Sequence, residues 1–291
     1  MQVLTHVDEV RALLDGARAR SASVGVVPTM GSLHRGHASL VERAAAECDV
    51  VVVTVFVNPL QFGAGEDLEA YPRDLQGDVD LAAACGAGVV FAPDESEMYP
   101  SGREGVLTSV SVSLLTERFE GASRPTHFAG VCTVVAKLFN ILGPARAYFG
   151  EKDFQQLAVV TQMVRDLSMP VEVIGCPTVR EPDGLALSSR NVYLSPSHRS
   201  QATVIPAALR DATTAYCAGT RSASDLEQVM VDRIASAPDG VLDYVAVVGA
   251  RTLEPVVTAD DGSRLLVAVA FGSTRLLDNA SVLGVTGAIR V

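Results

Sequence analysis

The sequence predicts an α/β protein. A mostly parallel sheet with helices on both faces occupies residues 1–178, and a smaller α+β domain occupies residues 179–291. Three observations carry this reading. Through residue 178, short β-branched runs alternate with stretches of helical period, the rhythm of parallel strands joined by helical crossovers. One run, Val50–Val57, is apolar except for Thr54, as a strand covered on both faces must be. Beyond 178 the order becomes helix, helix, strand, strand, which belongs to a separate α+β layer.

The elements follow in order. Val7, Val10, Leu13, Leu14 and Ala17 have helical spacing, and Val24–Val27 is a β-branched run stopped by Pro28. Helical signal resumes from His37 to Glu47, before the Val50–Val57 strand closed by Asn58-Pro59. A helix over Leu75–Cys85 precedes a short strand over Gly88–Ala92. Phe128–Leu142 is a long apolar helix ended by Gly143-Pro144, and Ala147–Phe149 is a brief strand. A helix over Phe154–Leu167 and a strand over Val171–Cys176 complete the first domain. Residues 196–237 form two helices broken near Gly219, residues 242–249 and 264–271 are strands, and Leu276–Val291 carries further short strand signals.

The 291 residues hold 23 Lys+Arg against 34 Asp+Glu, a net charge of −11, with 48% hydrophobic residues and no Trp. That balance excludes a disordered chain. It also opposes bulk affinity for nucleic acid or anionic membranes, both of which need many basic contacts. Only two of the basic residues are lysines, Lys137 and Lys152, and neither has the preceding glycine of a P-loop. The N-terminal stretch MQVLTHVDEVR carries acids where a secretory signal needs bases. The five cysteines are odd in number, widely spaced and without a C-x-x-C. A cytoplasmic protein with reduced thiols is expected.

Four segments carry chemistry. Pro28 to His37 (PTMGSLHRGH) follows the first core strand and opens a helix, where free main-chain N–H groups suit a phosphate. His34 and His37 fall on one face, with Gly36 between them allowing close approach. Imidazoles there suit charge developing in phosphoryl transfer. Phe149 to Gln156 (FGEKDFQQ) again lies where a strand meets a helix, with Lys152 able to reach phosphates and Asp153 able to cap the helix or touch a ribose. Arg180 to Asn191 (REPDGLALSSRN) contains a Pro-Asp-Gly turn, and the Ser-Ser-Arg that follows it offers two hydroxyls and a cation suited to a phosphate tail. In FVNPLQFG, Gln61 is placed at a strand end to hydrogen-bond a small polar substrate, as is Gln156 at another strand end. Arg124 is a candidate anion contact, and Thr126 or His127 a helix cap. Lys137 fits a structural place in its helix. Gly63-Ala64-Gly65 lacks the third glycine of a dinucleotide fingerprint.

Together PTMGSLHRGH, FVNPLQFG, RPTHFAGV, FGEKDFQQL and DGLALSSRN, followed by FGSTRLLDN at 271–279, closely resemble the pantoate–β-alanine ligase family across nearly the whole chain. The resemblance implies a Rossmann-like first domain, a small C-terminal lid and a homodimer. It implies an ATP-dependent ligation of pantoate to β-alanine through a pantoyl adenylate, with release of pyrophosphate and AMP. By motif match, His37, His34 and Lys152 would be catalytic. Met30, Gly31, Ser32, Leu33, His34, Arg35, Gly36 and His37 would bind ATP, with Gly150, Glu151, Lys152 and Asp153. Val179, Leu187, Ser188, Ser189 and Arg190 would complete that site, the last four in the manner of a KMSKS loop with Arg190 in place of a lysine. Gln61 and Gln156 would hold pantoate, Gln61 would also face β-alanine, and Met30, Val134, Val135 and Phe149 would supply apolar walls.

Mg²⁺ would accompany ATP. No protein ligand for it is evident: in Asp74-Leu75-Gln76-Gly77-Asp78, Gly77 and Leu81 depart from the family pattern and leave Asp78 as a poor candidate. Two other readings compete. A nucleotidylyltransferase that stops after transferring AMP or CMP to a phosphate ester would need H-x-G-H but neither glutamine. A silent nucleotide sensor would keep the glycines and lose His34, His37, Lys152 and Arg190, all of which are present.

Overall fold

The computed structural model describes residues 1–63, 66 and 68–284. They form two compact units: one of Met1–Gly150 with Gln155–Cys176, the other of Glu151–Phe154 with residues 177–284. The sequence reading put 151–154 in the first domain and the boundary at 178.

In the first unit, strands and helices alternate as β1 (Gln2–Leu4), α1 (Val7–Arg18), β2 (Val24–Thr29), α2 (Arg35–Glu47) and β3 (Val50–Val55). There follow α3 (Leu75–Ala84), β4 (Val89–Phe91), α4 (Glu95–Met98), α5 (Glu120–Ser123), α6 (His127–Leu142) and β5 (Ala145–Gly150), then α7 (Phe154–Asp166) and β6 (Val171–Cys176). The sheet is six-stranded in the order β1-β4-β3-β2-β5-β6, and each adjacent pair is parallel. Val24, Val26 and Val27 in β2 and Val51–Val53 in β3 are buried, because both sheet faces are covered. On one face Leu40, Val41 and Ala44 of α2 and Ala82 of α3 pack against Val27, Val51, Val53 and Val90.

Two strand assignments differ from expectation. β2 runs through Pro28 to Thr29 rather than stopping at Val27. Pairing of β2 with β5 covers only Gly25 and Val26, so the strand is an edge on that side by Pro28 and the missing N–H leaves no ladder bond unmade. β1 was not foreseen. It is three residues long and takes its place by pairing Gln2–Leu4 with Val89–Phe91, a contact of long sequence separation.

The second unit contains α8 (Pro196–Gln201), α9 (Val204–Cys217), α10 (Ala223–Ile234), β7 (Gly240–Gly249), β8 (Ser263–Phe271) and β9 (Thr274–Ser281). Ser195 caps α8 through its hydroxyl, which makes a third helix where the sequence suggested two. The strands form an antiparallel sheet in the order β7-β8-β9. Leu209 and Ala212 of α9 and Leu226, Met230 and Ile234 of α10 share a core with Leu265, Val267, Val269 and Phe271 of β8. The strand signals after 284, and Ala64-Gly65 of the Gly-Ala-Gly segment, lie outside the described residues.

Candidate active site

The H-x-G-H loop joins the carboxyl end of β2 to α2. Its conformation demands glycine at Gly31, whose φ is +85° and whose added Cβ would lie 2.8 Å from Asp78 Oδ2. Ser32 follows with φ +53°. The loop is held by two side chains from other elements. Thr29 Oγ1 accepts from Gly31 N–H at 3.1 Å and donates to the Thr54 carbonyl at 2.6 Å. The Asp78 carboxylate accepts from Ser32 N–H at 3.0 Å and Leu33 N–H at 2.6 Å.

Asp78 is 3% exposed, and burial pushes its carboxyl above the ordinary aspartate range against the two amides, which favour the charged form. The one acid considered for Mg²⁺ thus organises the loop, and its two oxygens are already engaged by main-chain donors. Among the described residues no group of three or more His, Cys, Asp or Glu is arranged to hold a metal.

His34 is the N-cap of α2. Its Nδ1 accepts from Gly36 N–H at 3.1 Å, and His37 Nδ1 accepts from His34 N–H at 3.3 Å. This is a capping box built from imidazoles instead of Ser and Glu. A main-chain N–H can only donate, so each Nδ1 is the acceptor and each neutral ring carries its proton on Nε2. The ring centroids are 4.2 Å apart. The loop thus holds two adjacent imidazole donors in defined tautomers at a helix N-terminus, an arrangement that suits anionic oxygens. Gly36 is half-buried and Arg35 is exposed on the outer side of α2.

Gln61 reaches this loop from β3. Asn58, 1% exposed, caps the 3₁₀ turn Pro59–Gln61 and donates from Nδ2 to Gln61 Oε1 at 3.1 Å and to the Gly130 carbonyl at 3.1 Å. Gln61 Nε2 lies 2.9 Å from Met30 Sδ, so residues 31 apart in sequence meet. Tyr99 donates to Asn58 Oδ1 at 2.7 Å, and Lys137 sits over the Tyr99 ring at 5.9 Å. That places Lys137 behind the Gln61 turn in a structural part. Gly130 is where α6 crosses this turn. An added Cβ would lie 2.2 Å from the Leu60 carbonyl oxygen, so no other residue fits.

The main chain of Gln61 is clamped as well. Arg124 Nη1 lies 3.3 Å from His127 Nε2, and His127 Nδ1 lies 3.0 Å from the Gln61 carbonyl. Arginine only donates, so Nε2 accepts and Nδ1–H donates to the carbonyl. Burial and the Arg124 charge hold the His127 imidazole below its ordinary pKa. Arg124 itself forms a salt bridge with Glu66 through Nε and Nη2, which answers its positive charge. Thr126 is the N-cap of α6 without a side-chain bond, so neither Thr126 nor His127 supplies the expected cap.

Gln156 lies half-buried in the first turn of α7, after β5. The neighbouring Gln155 is buried and structural: Nε2 donates to the Leu115 and Arg118 carbonyls at 2.8 and 2.9 Å, and Oε1 accepts from Glu120 N–H at 3.0 Å. The sequence singled out Gln156 and assigned Gln155 no part; the structural part of Gln155 depends on carbonyls 37 to 40 positions away, which no local pattern marks. Val134, Val135 and Phe149 are buried, and Phe149 meets Phe139 edge-on.

In the second unit, Glu151, Lys152 and Asp153 form a 3₁₀ turn after Gly150. Lys152 Nζ is 3.3 Å from Asp153 Oδ1. Val179 and Leu187 are brought together: Leu187 N–H donates to the Val179 carbonyl at 2.9 Å, and Arg180 bridges Ala186. The Pro-Asp-Gly turn closes this small hairpin with Gly184 at φ +93°. Ser188 then caps the turn Ser189–Tyr193 by accepting from Arg190 N–H at 3.3 Å. Ser188, Ser189 and Arg190 are all half-buried.

A family model described as pantoate-beta-alanine ligase matches residues 2–281 of the chain. The chain belongs to the pantoate–β-alanine ligase family. The pantothenate synthetase of Pelotomaculum thermopropionicum is 49% identical over 284 residues, which is 98% of this chain and 99% of that protein. A crystal structure of pantothenate synthetase from Thermus thermophilus has a TM-score of 0.91 at 50% identity, covering 97% of this chain and 99% of that one. The pantoate-beta-alanine ligase of Francisella tularensis, crystallised with βγ-ATP and β-alanine, has a TM-score of 0.80 at 33% identity over 99% of each chain. The fold expected from the resemblance is the one observed: a Rossmann-like parallel sheet and a small antiparallel C-terminal sheet.

Proposed function

We propose that this chain ligates pantoate to β-alanine with conversion of ATP to AMP and pyrophosphate. The observation that carries the reading is the meeting of Gln61 with Met30, in the same loop that pairs the imidazoles of His34 and His37, in a chain that matches the family over residues 2–281. A carboxylate and an amine do not condense at neutral pH without a leaving group. In the proposed first step the pantoate carboxylate oxygen forms a bond to the α-phosphorus of ATP, and the bond to the pyrophosphate oxygen breaks. In the second, the β-alanine amine attacks the acyl carbon of the anhydride, loses a proton, and AMP leaves with the electrons of the acyl–oxygen bond.

In this reading the Nε2–H groups of His34 and His37 donate to phosphate oxygens as charge moves onto the departing pyrophosphate, with His37 as proton donor. Lys152 supplies a compact charge to the same phosphates, where an arginine fork would fit less freely. Met30 to Leu33, Arg35, Gly36, Gly150, Glu151, Asp153, Val179, Leu187, Ser188, Ser189 and Arg190 are the proposed remaining ATP contacts. Main-chain donors at Ser32 and Leu33 are already bonded to Asp78, so these two would contact ATP by other atoms. Gln61 and Gln156 are the proposed pantoate contacts, with Gln61 also on β-alanine.

Mg²⁺ is proposed to travel with ATP, held by phosphates and water, because Asp78 is bonded to the loop. A homodimer in the cytoplasm is the proposed setting. No helix among the described residues is long and apolar enough to cross a membrane.

The test is ATP–pyrophosphate exchange. Pantoate alone should drive exchange in the absence of β-alanine. Exchange that appears only with a phosphate ester as acceptor overturns the ligase reading in favour of a nucleotidylyltransferase.

A further inference from the structure

The segment that carries Lys152 is held by a buried polar cluster that includes the last residue of the FGSTRLLDN motif. Asn279 in β9 donates from Nδ2 to the carbonyls of Glu151 at 2.9 Å and Lys152 at 2.8 Å. Arg264 in β8 donates from Nε to Asn279 Oδ1 at 2.8 Å and from Nη2 to Glu151 Oε2 at 3.0 Å. The Arg264 guanidinium also lies over the Phe154 ring at 4.0 Å. Thus three residues of one four-residue segment, Glu151, Lys152 and Phe154, meet one arginine and one asparagine more than 100 positions away. Arg264 and Asn279 are each 3% exposed and Glu151 is 7% exposed.

The cluster extends one step further. Asn279 N–H donates to Asp278 Oδ1 at 2.8 Å, and Asp278 accepts both Nη groups of Arg180 at 2.6 and 3.0 Å. Arg180 lies next to Val179 in the hairpin that leads to Ser188–Arg190.

A buried arginine–glutamate pair is a poor device for stability, because apolar residues of like volume serve as well. It does fix geometry: the planar fork of Arg264 and the planar amide of Asn279 leave one arrangement of the 151–152 main chain. Lys152 has a long, flexible side chain, so its reach is set by where its Cα is anchored. We propose that Asn279 and Arg264, which hold Glu151, are positioning residues that place Lys152 for adenylate formation. They act through its main chain and touch no substrate. The proposal rests on the reading of Lys152 as a phosphate-binding group.

A double-mutant cycle on pantoate-driven ATP–pyrophosphate exchange tests it. Asn279→Ala removes both carbonyl contacts without leaving a buried charge alone. It should lower the exchange kcat by about tenfold or more, as a misplaced group does, while the KM for pantoate changes less than about twofold. In a Lys152→Ala background the same substitution should cost less than about twofold, because the group it positions is gone.

Equal losses from Asn279→Ala in both backgrounds overturn the proposal and leave the role of Lys152 standing. So does exchange by Asn279→Ala at the native rate. Native exchange by Lys152→Ala overturns the role of Lys152 and the proposal with it. If Asn279→Ala does not fold, Arg264→Lys carries the same cycle, since it keeps the charge beside Glu151 and loses the fork to Asn279. The same three outcomes then apply.

Discussion

The two candidate phosphate-binding segments are held in different ways. The H-x-G-H loop of the first unit is held in part locally: two imidazoles cap α2 within four residues, while one carboxylate 45 to 46 positions away, Asp78, pins two loop amides. The Glu151–Lys152 segment of the second unit has little local support. It is fastened by Arg264 and Asn279, 113 and 127 to 128 positions distant. The difference shows that rigid placement of a charged group can come from a helix start or from remote buried polar side chains. Only the former leaves a signature in a short stretch of sequence.

The largest expected effect removes the proposed chemical groups themselves. His37→Ala and Lys152→Ala should each lower the pre-steady-state rate of adenylate formation by about 10²-fold or more, as loss of a transition-state electrostatic group does. Rapid-quench measurement of the adenylate checks this, and a near-native burst in both variants ends the assignment. Lys152→Arg sharpens it: charge is kept and shape is changed, so a substantial loss is expected there too.

The next effect tests how the first loop is held. Asp78→Ala leaves Ser32 and Leu33 N–H without their acceptor, and stability should fall by about 1–3 kcal/mol in urea unfolding. A variant as stable as the native chain would show that the imidazole capping box suffices by itself. The comparison between a local and a remote mode of support would then be sharper still.

The smallest effect concerns the Gln61 clamp. The His127 pKa is held below the ordinary imidazole value near 6.5. The folded chain therefore prefers the neutral ring. Its contribution is fully present above that ordinary value and is lost as pH falls through the lowered folded value. The thermal midpoint should drop on acidification below about pH 6.5, and the drop should be smaller in His127→Gln. An identical pH dependence in the two proteins would remove His127 as the titrating group.

Much of the fold is legible in periodicity, since buried parallel strands must be apolar and their crossovers amphipathic. The Val50–Val57 run and the helix ended by Gly143-Pro144 are plain examples: the observed elements are Val50–Val55 and His127–Leu142. The strand through Pro28 was missed because a proline stops a strand only where its neighbours need the absent N–H, and neighbours are set by sheet order. β1 was missed because three residues hold no period. In the site, histidine spacing put both imidazoles on one face at the start of α2, but the capping box and the tautomers depended on which main-chain N–H faced each ring.

Local pattern by itself thus determined the α/β class, the order of most elements and the motifs that mark the family. These depend on residues within one turn or one strand of each other, where spacing dictates which face a side chain takes. Tertiary structure alone decided that Arg124 is paired with Glu66, that Asp78 supports a loop, that Gln155 is a strut beside the candidate Gln156, and that Glu151 to Phe154 join the second unit. Each is a contact across a long sequence separation, and burial makes it count: a polar group taken from water must find its partner wherever the fold supplies one.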